Sequence, residues 1–146
     1  MSRSGYNDDC EPLSLGRWRA QVASAIRGKR GQMFLVELLH ALDTMEVKEL
    51  IADELETHGG EVCALGALGK KRGYDMKNID VEDSDRVAGM FNIAHQLARE
   101  VVYMNDEVYF DSPAQRYQSM RAWVANQIKP DQPPSADDEA KDREGE

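Results

Sequence analysis

The sequence predicts a mainly α-helical protein, a compact bundle of about five helices with a short β-hairpin, built as one domain over residues 14–129. Apolar residues recur at spacings of three and four in four separate segments, which is the period of a helix with one buried face. Ser112-Pro113-Ala114-Gln115 is a helix-start box, with serine as cap, proline in the first turn and glutamine reaching back. A glycine turn, Gly59-Gly60, runs into Cys63-Ala64-Leu65-Gly66-Ala67-Leu68-Gly69, where the small residues let one backbone approach another closely. Cys63, Ala64, Gly66 and Ala67 therefore read as a structural packing hub.

Taken in order, residues 1–13 are polar and are expected to form a loosely attached arm. Leu15, Trp18, Val22 and Ile26 predict a first helix that Gly28 stops. Phe34, Leu35, Leu38, Leu39 and Leu42 predict a second after the Lys29-Arg30-Gly31 break, ending near Asp43-Thr44, so the two form a helical hairpin. Residues 48–63 read better as a two-stranded hairpin around His58-Gly59-Gly60, with Val62-Cys63 as the returning limb, than as a continued helix. Cys63–Lys71 predicts a short helix stopped at Gly73, its last turn holding Lys70, Lys71 and Arg72, where cations suit the helix dipole. Tyr74–Val81 is a linking loop. A longer helix starts at Asp83 or Ser84 and runs through Val87, Phe91, Ala94, Leu97, Val101 and Met104 to Asn105-Asp106. The last helix buries Tyr117, Met120, Trp123, Val124 and Ile128. Residues 130–146, rich in proline and charge, are expected to be disordered, because they hold too little apolar area to offset chain entropy.

The 146 residues carry a net charge of −9 and are 41% hydrophobic, enough for one core. Charge is unevenly placed. Lys129–Glu146 carries −4, whereas residues 1–32 carry +3. No apolar run is long enough to span a membrane, and Met1–Asp9 lacks a secretory apolar stretch, so a cytoplasmic protein is expected. Cys10 and Cys63 have neither CxxC spacing nor a nearby histidine, and both are read as reduced thiols outside any metal site. No cofactor is expected, since the glycines form neither a Walker nor a dinucleotide fingerprint.

Several segments taken together, Ser2-Arg3-Ser4-Gly5-Tyr6-Asn7-Asp8-Asp9-Cys10, Arg17-Trp18-Arg19, Ala25-Ile26-Arg27-Gly28-Lys29-Arg30-Gly31-Gln32, Gly60-Glu61-Val62-Cys63-Ala64-Leu65-Gly66-Ala67 and Tyr103-Met104-Asn105-Asp106-Glu107, resemble a family of small proteins encoded by tailed bacteriophages and proteobacterial prophages. The resemblance covers roughly residues 2–128. A fainter similarity, limited to Cys-Ala-Leu-Gly-Ala-Leu and the later Asn-Asp, links the chain to small actinobacterial proteins. What the resemblance implies is a phage or prophage origin and, with it, a place in the host bacterial cytoplasm. It carries over no catalytic residue.

The strongest functional candidate in the residues themselves is the basic cluster Arg17, Arg19, Arg27, Lys29 and Arg30 with Trp18, since arginines beside an aromatic hold phosphates and stack on a base. Its plainer reading puts Trp18 in the core and Arg17 and Arg19 on the solvated side of one helix. Cys63 near a helix start would have a lowered pKa as a nucleophile, but apolar neighbours make it a small buried hydrophobe instead. His40, His58 and His95 are isolated in sequence, and Asn105-Asp106-Glu107 with Asp111 lacks calcium-loop spacing and reads as a turn between helices. The expectation is a non-catalytic accessory protein that binds a macromolecular partner, most simply a protein. Nucleic-acid binding through the basic cluster is the alternative, and an enzyme using Cys63 or the Asn105–Asp111 carboxylates ranks last.

Overall fold

The computed structural model describes residues 12–107 and 110–130. The expected arm, Cys10 and the expected disordered tail fall almost wholly outside the described residues. Six helices follow one another: α1 (Pro12–Arg27), α2 (Lys29–Asp43), α3 (Ala64–Lys71), α4 (Ser84–Phe91), α5 (His95–Asp106) and α6 (Pro113–Gln127). None of them is long and apolar enough to cross a membrane.

Helix α2 is the axis of the fold, packing against α3 on one side and α6 on the other, while α4 packs on α5 and α1 lies across α5 and α2. The sequence explains its position, because its apolar stripe is wide enough to bury Phe34, Leu35, Leu38, Ala41 and Leu42 at once. Leu65 and Leu68 of α3, Leu97 and Val101 of α5, and Met120 and Val124 of α6 close the core around it. Helix α1 is different: among its residues from Leu15 onward only Val22 is fully buried, Trp18 and Ile26 are half-buried, and Leu15 is exposed.

The helix expected over Asp83–Asp106 is two helices. Asn92 adopts the left-handed conformation (φ 57°, ψ 49°) and ends α4. Asparagine tolerates that conformation better than most residues. The break turns both Phe91 and Ile93 into the core, which positions two apart on a continuous helix do not achieve.

The expected β-hairpin is absent, and no strand occurs among the described residues. A single antiparallel bridge joins Glu56 to Val62, closing a turn in which the Gly60 N–H donates to Thr57 O (2.9 Å) and Gly60 has φ +91°. Two causes stop the ladder. Asp53 (φ 76°) turns the outgoing limb, so that the N–H of Ile51 reaches Val62 O (3.0 Å) while Leu55 O accepts from the N–H of Cys63 (3.2 Å). The returning limb then ends at once, because Cys63 is already the cap of α3.

Candidate functional site

Cys63 is 3% exposed, and its Sγ accepts from the Gly66 N–H (3.4 Å) at the start of α3. Burial pushes its thiol up to about 12, a shift that the nearby Asp106 carboxylate reinforces and the Gly66 amide opposes. A protonated, enclosed sulfur of this kind is a packing and capping group. Ala64, Gly66 and Ala67 are buried beside it. At Gly66 the close approach is literal, since a Cβ there would stand 1.7 Å from Leu55 O.

Asn105, expected at a helix end and turn, is a buried junction. It is 1% exposed, its Oδ1 accepts from the Ala64 N–H (3.1 Å) and its Nδ2 donates to Ile51 O (2.8 Å), so one side chain fastens α5 to the start of α3 and to the loop before it. The Arg116 guanidinium donates to the backbone oxygen of Asn105, adding α6 to the junction. Gln32 was equally illegible. Its Nε2 donates to Ile26 O (2.8 Å) and Gln127 O (3.0 Å), and its Oε1 accepts from the Lys129 N–H (2.9 Å), so it joins the ends of α1 and α6. Nothing in a lone glutamine or asparagine on an apolar helix announces such a role.

The basic cluster does not assemble into one face. All five cations are exposed. Arg19 and Arg27, eight residues apart and about 12 Å along α1, border a groove of about 410 Å³ between α1 and α6, with Trp123 and Asn126 as its far wall and Glu100 beneath. Arg17 is about 160° round α1 from Arg19 by helical geometry, and is not among the groove's lining residues. Arg30 turns toward α4, where its Nη1 donates to Asn92 Oδ1 (3.1 Å). Trp18 lies between α1 and α5, 6.0 Å from the His95 ring and 5.3 Å from the Arg99 guanidinium.

A second cleft carries residues that sequence reading left without a role. It runs from the end of α2 past Met45 and Val47 to Val62 and Ala67, about 440 Å³ in volume, with Lys70 and Lys71 on its far side. A smaller one of about 260 Å³ adjoins it, sharing Met45, Val47, Gly60 and Val62 and reaching Ile51 and Pro113. Val47, on the ridge between them, is 63% exposed. The ridge is tethered, since Lys48 Nζ donates to Asp43 O (2.6 Å) and the Leu50 N–H donates to Pro113 O (3.1 Å). Ala67, 6% exposed, is part of this cleft's wall as well as of the hub. The only sequence signal was an apolar pair, Met45 and Val47, in a polar stretch without helical period.

His40, His58 and His95 sit on α2, in the Thr57–Glu61 turn and at the start of α5, and among the described residues no group of three or more His, Cys, Asp or Glu side chains could hold a metal ion. The acidic stretch after Asn105 serves local structure: Asp106 accepts from Asn105 Nδ2 (2.6 Å), and the Asp111 N–H donates to Gln115 Oε1 (2.5 Å) at the start of α6. No protein-family model, curated protein or solved structure matches the chain.

Proposed function

We propose that this chain is a small non-catalytic accessory protein of phage or prophage origin, acting in the bacterial cytoplasm, that takes a segment of a partner protein into the paired cleft around Val47. The observation that carries the reading is the 63% exposure of Val47 on a tethered ridge between two clefts. The single apolar side chain of Val47 held out on a tethered loop, with Met45 and Val62 behind it and Glu46, Glu49, Lys70 and Lys71 around it, has the apolar centre and charged rim of a protein interface. Covering about 100 Å² of that apolar surface contributes about 2.5 kcal/mol. The buried, protonated Cys63 supports a role without catalysis.

Nucleic-acid binding is the second reading, favoured by Arg19 and Arg27 beside Trp123 in one groove. The absence of Arg17 and Arg30 from the groove that holds Arg19 and Arg27, with Arg30 held on Asn92, and the Glu100 carboxylate beneath the groove both weigh against a surface that tracks phosphates. A photo-crosslinker placed at position 47 in cells carrying the gene separates the two. The expected product is a protein adduct that Met45→Asp removes and that persists at moderate salt. Adducts formed only from positions 19 or 27, to nucleic acid and steeply salt-sensitive, would replace the first reading with the second.

A further inference from the structure

The smaller of the two clefts beside Val47 lies between two limbs of the chain. Met45, Val47, Glu49 and Ile51 line it from every second position, which is the alternation of one face of an extended segment. Residues 59–62 form the other wall. Among the described residues one backbone bond joins the limbs, from the Ile51 N–H to Val62 O (3.0 Å), so they meet there and part toward Val47 and Gly60.

Val62 turns a donor into that gap. Its bridge to Glu56 is of the kind whose own N–H and C=O groups point outward, because the flanking bonds run from the Thr57 N–H to Glu61 O (2.8 Å) and from the Cys63 N–H to Leu55 O (3.2 Å). The outward carbonyl takes the Ile51 N–H, and the N–H of a bridged residue points the same way. Among the described residues nothing accepts from the Val62 N–H, although Val62 is only 6% exposed. A buried backbone donor ordinarily has a partner.

Charge divides between the same two clefts. Glu49 and Glu61, both exposed, stand at the small cleft without a base, whereas Lys70 and Lys71 stand at the large one against Glu46 alone. Resting on the reading of Val47 as the centre of the partner site, we propose that the partner segment is an extended peptide added as a short strand along residues 60–62. A main-chain carbonyl of the peptide accepts the Val62 N–H, and two apolar side chains, two residues apart, sit on either side of Val47. A base of the peptide lies toward Glu49 and Glu61, and an acid toward Lys71. Size agrees with this choice. A cleft of about 260 Å³ is narrow for a helix, about 10–12 Å across with its side chains, whereas an extended chain lies only about 4.8 Å from its neighbour. Strand addition takes its affinity from main-chain bonds and its specificity from alternate side chains.

The test selects a displayed library of short random peptides on the full chain, with Val47→Asp as the counter-selection; position 47 is exposed, so that variant keeps the fold. The expected consensus has apolar residues two apart, an acid at one end and a base at the other. A synthetic peptide of that consensus should shift the Val62 amide signal and slow its hydrogen exchange. Lys71→Glu should weaken it about two- to fivefold, as loss of an exposed ion pair does, and exchange of the peptide's acid for lysine should restore binding. Apolar residues three and four apart with an unchanged Val62 amide would mark a helical occupant, overturning this proposal while the Val47 cleft stands as the partner site. Enrichment that Val47→Asp does not remove, or none at all, would overturn both.

Discussion

At the scale of single residues, this protein depends on positions where an atom more or an atom less has nowhere to go. Gly66→Ala places a methyl into Leu55 O and is expected to cost about 3 kcal/mol, the upper end of overpacking, measured as the shift in urea midpoint. Ala67→Leu is expected to cost less, because the added atoms extend into the cleft by Met45. Gln32→Leu leaves Ile26 O, Gln127 O and the Lys129 N–H without their partner, and about 2–4 kcal/mol of stability should be lost. Cys63 supplies a pH signature. Its folded-state pKa of about 12 lies above the ordinary thiol value of 9.0, so its contribution is fully present below about pH 9 and is lost as pH rises from about 9 to about 12. The slope for one such group is at most about 1.4 kcal/mol per pH unit. Denaturation of the native chain alongside Cys63→Ala at about pH 8 and about pH 10.5 should show the excess loss in the native chain alone.

Helix boundaries here are decided by short-range chemistry that is only partly written in residue type. Ser112 accepts from the Gln115 N–H (3.1 Å), as its spacing predicts, because a cap is a contact three residues long. The break at Asn92 escaped the same logic, since an apolar stripe at helical spacing crosses it without interruption. Asn92→Gly should hold or raise the melting temperature, whereas Asn92→Val should lower stability by about 1–2 kcal/mol through the left-handed backbone it must adopt. A variant with valine at full stability would show that α4 and α5 can merge. The missing hairpin has a related origin: Asp53 turns and Cys63 caps, so the intervening residues are held by α3 and α5 through Asn105.

At the scale of the molecule, burial among the described residues is deep in α2 and α3 and shallow in α1. Helix α2 buries seven residues, while the side chains of α1 from Leu15 onward bury one, Val22. Native-state amide exchange should therefore open α1 first, at a free energy well below global unfolding, with α2 and α3 exchanging last. Protection of α1 equal to that of α2 would mean that contacts beyond those described hold it.

What the sequence determined by itself is the helical class, the Ser112 cap, the small-residue hub and the uneven charge, because each is a property of neighbours within a turn or two of chain. What only the tertiary structure decided is which polar side chains are structural and which surfaces are open. Gln32 and Asn105 find their partners up to 97 and 54 residues away, and Val47 is a ridge only because the end of α2, the Gly60 turn and α3 meet around it. The five cations read as one cluster along the chain, yet a helix turns each successive residue by about 100°, which sends Arg17 and Arg19 to different sides, and the packing of α6 then puts Arg19 and Arg27 on one groove.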